Sequence, residues 1–162
     1  MTLNTRFAGA MVNFLPSTPK RLGLAVSGGS DSMALMYLVS NWVADMDIDV
    51  EVVSVDHGLR PDAADEAQMV AGVAAQLGLR HSILRWRDWD RQGNLQDAAR
   101  RARRRLIAEW AKAREIRHIC LGHTLDDQAE TVLMRLVRGS GVDGLAGMAT
   151  ASEAEWYSDG RS

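Results

Sequence analysis

The sequence predicts an α/β protein with an open, mostly parallel sheet and helices on both faces. Short apolar, β-branched segments alternate with helical stretches along most of its 162 residues, as is typical of strand–helix–strand units. Polar clusters containing glycine follow three of the predicted strands. Because ligands bind beyond the carboxyl ends of parallel strands, these clusters are expected to meet at one edge of the sheet.

The predicted elements follow from apolar spacing and from glycine and proline breaks. In the first helix, Leu3, Phe7 and Met11 recur at helical spacing, and the helix ends before Pro16. The remaining elements are strands over 22–26, 50–55, 83–86 and 116–121, and helices over 31–44, 63–77, 95–114 and 125–137. Glycines interrupt 138–149, and 150–162 is polar without a clear period. We expect one domain over 1–149 and then a polar tail or a truncated continuation.

Composition excludes several classes of protein. Apolar residues make up 46% and charged residues 25% of the chain, as in folded globular proteins rather than disordered ones. No apolar run approaches the roughly 20 residues that a membrane helix needs, and no secretory leader is visible. A single cysteine cannot form an internal disulfide, so a cytoplasmic protein without a membrane partner is expected.

The charge is distributed unevenly, although the net charge is only −2. Residues 45–66 hold eight acidic residues against one arginine, a net of −7. Residues 85–117 hold eleven basic residues against five acidic ones, a net of +6. Such separation can steer a polyanion to one face of a protein; the simpler alternative is a solvated helix face.

Residues 27–32 read Ser-Gly-Gly-Ser-Asp-Ser between a predicted strand and a predicted helix. The glycines allow close approach of the backbone to a ligand, and the helix start offers free N–H groups and partial positive charge. An ordinary turn needs only one capping residue, such as Ser30 or Asp31. We therefore predict a phosphate-binding loop, although not a Walker A loop, since no Gly-Lys-Ser/Thr is present.

A second polar cluster begins at His123 and continues to Glu130. In the predicted helix over 125–137, Asp126 and Glu130 share a face and Asp127 lies beside them. Carboxylates near phosphate oxygens are what Mg²⁺ prefers, and His123 is suited to be a base or a phosphate contact. The alternative is that these acids favour the helix N-terminus.

Two further segments complete the candidate site. Residues 56–60 read Asp-His-Gly-Leu-Arg after the second predicted strand. Residues 96–105 of the predicted helix over 95–114 carry five arginines, of which Arg100 and Arg103 are three apart and share a face. Arginine binds phosphate in a bidentate manner, so this pair is predicted to contact one ligand. Zinc is not expected, because the sequence has neither Cys-x-x-Cys nor His-Glu-x-x-His.

These motifs resemble those of the PP-loop (N-type) ATP pyrophosphatases and, among them, the tRNA(Ile)-lysidine synthetase family. The segments that carry the resemblance are 27–32, 56–60, 94–103, 122–131 and 138–141. It extends from about residue 21 to residue 149 and is most specific over 122–131. It implies a Rossmann-like fold of the PP-loop type.

The resemblance also implies a reaction. ATP adenylates the wobble cytidine of tRNA(Ile) with release of pyrophosphate, and L-lysine then displaces AMP. The implied cofactors are ATP and Mg²⁺, and the implied partners are tRNA(Ile) and lysine. Catalytic roles fall to Asp31, His123, Asp127 and Arg103, and magnesium binding to Asp31 and Asp127. Nucleotide binding falls to Ser27, Gly28, Gly29, Ser30, Asp31, Ser32, Asp56, His57, Gly122 and Arg100.

Two other functions remain open at this point. One is another adenylating enzyme of the PP-loop type, which thiolates or amidates its substrate. Thiolating relatives commonly use cysteine pairs, whereas Cys120 is the single cysteine here. The other is an ATP-binding module without catalysis, in a chain that stops before the further domains of the family.

Overall fold

The computed structural model describes residues 2–15, 17–125, 128–135, 142–145 and 149–153, with side chains as far as Leu121 except that of Phe14. The helices are α1 (Leu3–Phe14), α2 (Ser30–Val43), α3 (Asp62–Gln76) and α4 (Leu95–Ala113). The strands are β1 (Arg21–Ala25), β2 (Asp49–Asp56), β3 (Arg80–Arg85), β4 (His118–Leu125), β5 (Gln128–Arg135), β6 (Val142–Leu145) and β7 (Ala149–Glu153). Up to residue 121, these elements agree with the sequence prediction to within a few residues.

The strands form one sheet in the order β3-β2-β1-β4-β5-β7-β6. The first four in this order are mutually parallel, and β5 and β7 are also parallel. Antiparallel pairs join β4 to β5 and β6 to β7. The predicted open, mostly parallel sheet is thus confirmed. In its register, Ala25 lies opposite both Val53 and Leu121, so β1, β2 and β4 approach the same edge together.

Helices cover both faces of the sheet, because residues along each strand alternate between two cores. On one face, α1, α2 and α3 pack over Leu22, Leu24 and Val52. On the other face, α4 packs through Ile107 and its neighbours over the strands. Gly23 permits this approach of α4, since a Cβ there would lie 3.0–3.2 Å from side-chain atoms of Ile119, Ile116 and Trp110.

The segment after β4 differs from the sequence prediction. A helix was expected over 125–137, but Gln128–Arg135 forms strand β5, antiparallel to β4 with Glu130 opposite His123. A short run rich in threonine, valine and leucine fits a strand or a helix on local pattern alone. Pairing with β4 supplies its backbone hydrogen bonds. The predicted helical face shared by Asp126 and Glu130 is therefore wrong.

Asp126 and Asp127 themselves lie outside the described residues, as do 154–162, so the predicted boundary at residue 149 stays a prediction. None of the helices in the described part of the chain combines the length and the apolar character that a bilayer crossing requires.

Candidate functional site

The loop between β1 and α2 is braced by its own serines. The Ser32 hydroxyl is buried, accepts a hydrogen bond from the Ser27 N–H (3.2 Å) and donates one to the Gly29 carbonyl (3.0 Å). Gly28 adopts a φ of +94°, a conformation that side chains disfavour. The Ser32 hydroxyl therefore stabilises the conformation of the loop. The sequence predicted a nucleotide-binding role for Ser32 and did not predict this structural one.

The start of α2 lies in this loop, and Gly29 is its N-cap. A glycine has no side chain with which to cap the helix, so the first N–H groups of α2 depend on other partners. Unsatisfied N–H groups and the helix dipole together favour an anion at such a position. Asp31, in the first turn, is partly exposed.

A cavity of about 90 Å³ opens beyond the carboxyl ends of β1 and β2, between α3 and α4. It brings together Ser27 of the glycine loop, His57 after β2 and Arg103 of α4. These residues come from three separate segments, and the parallel sheet places them at one edge. The other lining residues are Ala25, Val26, Val53, Ser54, Val55, Arg60, Ala63, Glu66, Ala67 and Ile107.

Arg103 gives the cavity a positive charge that no carboxylate of the described residues pairs with. Burial, and then the neighbouring Arg104, lower the pKa of the Arg103 guanidinium, but arginine remains charged at neutral pH. Arg60 in the same cavity is paired with Glu66 at 3.1 Å. Within the described part of the chain, by contrast, Arg103 forms no ion pair with a carboxylate. A desolvated cation that has no ion pair with the described carboxylates and shares a cavity with Ser27 of the glycine loop favours binding of an anionic group.

The loop after β2 is held by Asp56, which is buried. One carboxylate oxygen accepts the Gly58 N–H at 3.0 Å, and the other accepts from Arg87 Nη2 at 3.2 Å. Burial alone would raise the pKa of Asp56, but these two hydrogen bonds and the charge of Arg87 outweigh it and lower the pKa. Asp56 thus stays ionised and both of its oxygens are engaged in holding the loop.

His57 lies in the cavity wall. Its Nδ1 accepts a hydrogen bond from the Leu59 N–H at 3.3 Å, which places the proton of the neutral ring on Nε2. Burial, followed by the charge of Arg60, lowers the pKa of His57. The imidazole is therefore neutral at pH 7 and offers an N–H donor.

The structure does not bring every predicted residue into the cavity. Arg100 is exposed one turn from Arg103 and does not line it. The backbone of Gly122 and His123 continues β4 directly after Leu121, which lies opposite Ala25 of β1. This places both residues at the same sheet edge, whereas Asp127 lies outside the described residues.

Several lining residues were not singled out by the sequence. Ala63 and Ala67 lie one turn apart in α3, and their small side chains leave space for the cavity. Ser54 donates a hydrogen bond to the Val26 carbonyl at 2.8 Å and bonds His81 Nε2 at 2.9 Å. Ser54 also stabilises the start of the loop through the Val26 carbonyl. The sequence signal for this role was a single serine within the strand predicted over 50–55.

The fold and the cavity define an α/β protein with a mostly parallel sheet and a glycine-rich loop beside a cavity at its strand ends. A family model described as a PP-loop domain matches residues 2–159, and the chain belongs to this family.

Two curated relatives are named tRNA(Ile)-lysidine synthase. The protein of Ruegeria pomeroyi is 52% identical over 136 residues, which cover 84% of this chain and 32% of the relative. The protein of Bradyrhizobium diazoefficiens is 47% identical over 155 residues, which cover 94% of this chain and 43% of the relative. The chain therefore spans between a third and a half of the length of these relatives.

The fold also occurs in a solved structure, the U34-tRNA thiolase NcsA from Methanococcus maripaludis with its iron–sulfur cluster. The two chains superpose with a TM-score of 0.68 at 16% sequence identity, over 76% of this chain and 44% of the other. At this identity the similarity concerns the fold alone.

Proposed function

We propose that this chain is the ATP-binding catalytic core of a ligase of the tRNA(Ile)-lysidine synthase type. The observation that carries the proposal is the cavity in which the desolvated guanidinium of Arg103 and the Ser27 end of the glycine loop meet. The relatives with 47–52% identity bear the name of this enzyme, and their similarity extends over most of this chain.

In this proposal, the glycine loop and the N-terminus of α2 bind the phosphates of ATP. Arg103 contacts the same phosphates from α4, and the neutral His57 donates its Nε2–H to the nucleotide. Attack on the α-phosphate releases pyrophosphate, on which negative charge develops. Fixed donors and cations that already surround this position stabilise such charge without rearranging.

Magnesium fits the donor set in part, because Asp31 provides a carboxylate beside the phosphate loop and Mg²⁺ prefers carboxylate and phosphate oxygens. We propose that Asp31 and Asp127 would hold Mg²⁺, which would neutralise phosphate charge. His123 lies in β4, which pairs with β1, at the same edge of the sheet. We propose that it contacts the phosphates.

The acceptor of the adenylyl group is proposed to be the wobble cytidine of tRNA(Ile). The cytidine oxygen attacks the α-phosphate, and the lysine amine then displaces AMP to form lysidine. A cytoplasmic location follows from the presence of ATP, lysine and tRNA there.

Thiolation is the less favoured alternative. Burial raises the pKa of the Cys120 thiol to about 12, and Cys120 lies in the core beneath α2. At neutral pH its sulfur is therefore protonated and buried, and it does not supply a nucleophilic thiolate.

The test is an assay of the full chain with α-labelled ATP, Mg²⁺, lysine and tRNA(Ile). The expected result is labelled AMP that requires tRNA(Ile), together with lysidine in the digested tRNA. AMP formed equally without tRNA would overturn the proposed acceptor, and ADP would overturn cleavage between the α and β phosphates. Arg103→Ala should reduce AMP formation at least tenfold, because a charged hydrogen bond contributes about 1.5–3 kcal/mol. Arg101→Ala, which removes an exposed arginine of the same helix, is the matched control.

A further inference from the structure

A second cavity lies beside the first and is lined by aromatic and cationic side chains. Its volume is about 340 Å³, which falls in the range of small-ligand sites. His57 lines both cavities, so the two share one wall residue. The other lining residues are Gly58, Leu59, Trp86, Arg87 and Trp89.

We propose that this second cavity binds an unpaired base of the RNA substrate by stacking, next to the nucleotide cavity. The identity of the RNA rests on the proposed function, whereas the chemistry of the cavity does not. Unpaired bases are recognised by aromatic rings that stack on them and by cations that contact the adjoining phosphate. The partly exposed indole of Trp89 and the exposed guanidinium of Arg87 supply both kinds of group here, and the buried Trp86 forms the wall behind them.

The cavity wall is rigidly built, which favours a binding site. Trp86 is buried, and its backbone N–H donates a hydrogen bond to the Asp56 carbonyl at 3.0 Å. The Arg87 guanidinium donates to the Trp86 carbonyl at 2.9 Å and to the Asp56 carboxylate at 3.2 Å. More than half of the Arg87 side chain is nevertheless exposed, so it remains accessible to a phosphate. Groups already held in place lose little conformational freedom on binding.

Gly58 shows how closely this wall is packed. It adopts a φ of +67°, and a Cβ at this position would lie 2.7 Å from Arg87 Nη1. The glycine therefore allows the guanidinium to lie directly against the loop that carries His57. The two cavities are coupled through this loop, so an RNA base in the second lies beside a nucleotide in the first.

Trp89 supplies a hydrogen-bond donor that the described part of the chain leaves without an acceptor. Its indole N–H is buried and has no acceptor among the residues that the structure describes. Buried donors without a partner are costly, and an acceptor on the edge of a base would satisfy this one. The surrounding segment 85–117 carries a net charge of +6 (eleven basic, five acidic residues), which attracts RNA to this side of the molecule.

The test measures binding of a fluorescein-labelled single-stranded RNA by anisotropy, using the full chain. Trp89→Ala is expected to weaken binding about 5- to 100-fold, since stacking on an aromatic ring accounts for such a loss per base. Trp89→Phe retains a ring without the N–H and should lose less. Tyr37→Ala removes an exposed aromatic side chain on α2 and should bind the RNA like the unmodified chain.

The salt dependence distinguishes stacking from general electrostatic attraction. Trp89→Ala should leave the slope of log K against log salt unchanged, because the indole neutralises no phosphate. A change in that slope equal to a lost phosphate contact, about 0.7 for single-stranded RNA, would contradict a stacking role. If Trp89→Ala bound the RNA with the same affinity as Tyr37→Ala, the proposal would be overturned.

Two further measurements distinguish a failure of the RNA-binding proposal from misfolding of the variant and from a failure of the proposed reaction. If Trp89→Ala fails to fold, photo-crosslinking of the unmodified chain with 5-iodocytidine RNA replaces it. Crosslinks at Trp86 or Trp89 support the proposal, and crosslinks confined to α4 overturn it. Loss of RNA binding in Trp89→Ala with no AMP formed by any variant would reject the reaction but keep the RNA site. Formation of AMP together with RNA binding that Trp89→Ala leaves unchanged would keep the reaction but reject the RNA site.

Discussion

Replacing Arg103 should stabilise the ligand-free protein while impairing nucleotide binding. The guanidinium lines the cavity without an ion pair to any carboxylate of the described residues, and burial lowers its pKa. Arg103→Met keeps an unbranched apolar stem and removes the charge. The desolvation penalty of a buried ion amounts to several kcal/mol, and Arg103 is only partly buried, so we expect a gain of about 1 kcal/mol.

That gain corresponds to a rise in melting temperature of about 2–4 °C for a chain of this size. The measurement is thermal unfolding followed by circular dichroism without nucleotide. The same variant should bind a non-hydrolysable ATP analogue about 10- to 150-fold more weakly by calorimetry, since a charged hydrogen bond contributes about 1.5–3 kcal/mol.

Arg101→Met provides the matched control, because Arg101 lies on the same helix and is exposed. It should change both the melting temperature and the affinity only slightly. A lower melting temperature for Arg103→Met than for Arg101→Met would refute the argument that the guanidinium is uncompensated. Unchanged affinity for the analogue would show that the cation does not contact phosphate.

Three other variants or reagents test the remaining parts of the site. Gly28→Ala, at a φ of +94°, should lower the free energy of unfolding in urea by about 1–3 kcal/mol; Gly72→Ala, in an open helical position, should instead be neutral or slightly stabilising. Asp56→Asn should lower stability by about 1 kcal/mol at pH 7. Because the folded-state pKa of Asp56 is lowered, this difference should be complete above the unfolded pKa of about 3.9 and shrink as the pH falls below it; a constant difference down to pH 3 would contradict the assignment. Cys120, with its pKa raised to about 12, should react with a thiol reagent at pH 8 only on unfolding, and rapid labelling of the native protein would contradict its burial.

Local pattern was sufficient for the elements that alternate regularly between apolar and polar positions. The strands β1 and β2 and the helix α4 follow from periodicity, and the glycine loop follows from composition at a strand–helix junction. Local pattern was insufficient after β4. The segment 128–135 forms strand β5, although its sequence fits both periods, and its pairing with β4 depends on a contact that no local rule contains.

The same limit applies to the candidate site. Arg103 and Arg100 were equivalent by spacing, yet only Arg103 lines the cavity. Asp56 was predicted to bind nucleotide, whereas its oxygens bond Gly58 and Arg87. The partner Arg87 lies 31 positions further along the chain, and its choice follows from the parallel pairing of β2 with β3.

The sequence by itself determined the mostly parallel α/β class, the position of the glycine loop between β1 and α2, and the edge of the sheet at which the polar clusters meet. These depend on residues close together in the chain, where periodicity and backbone preference act directly. Only the tertiary structure decided which arginine of α4 lines the cavity, which acid holds a loop in place, and that two tryptophans line a second cavity beside the first. These depend on desolvation and on contacts between distant segments, which arise only when the helices have packed on the sheet.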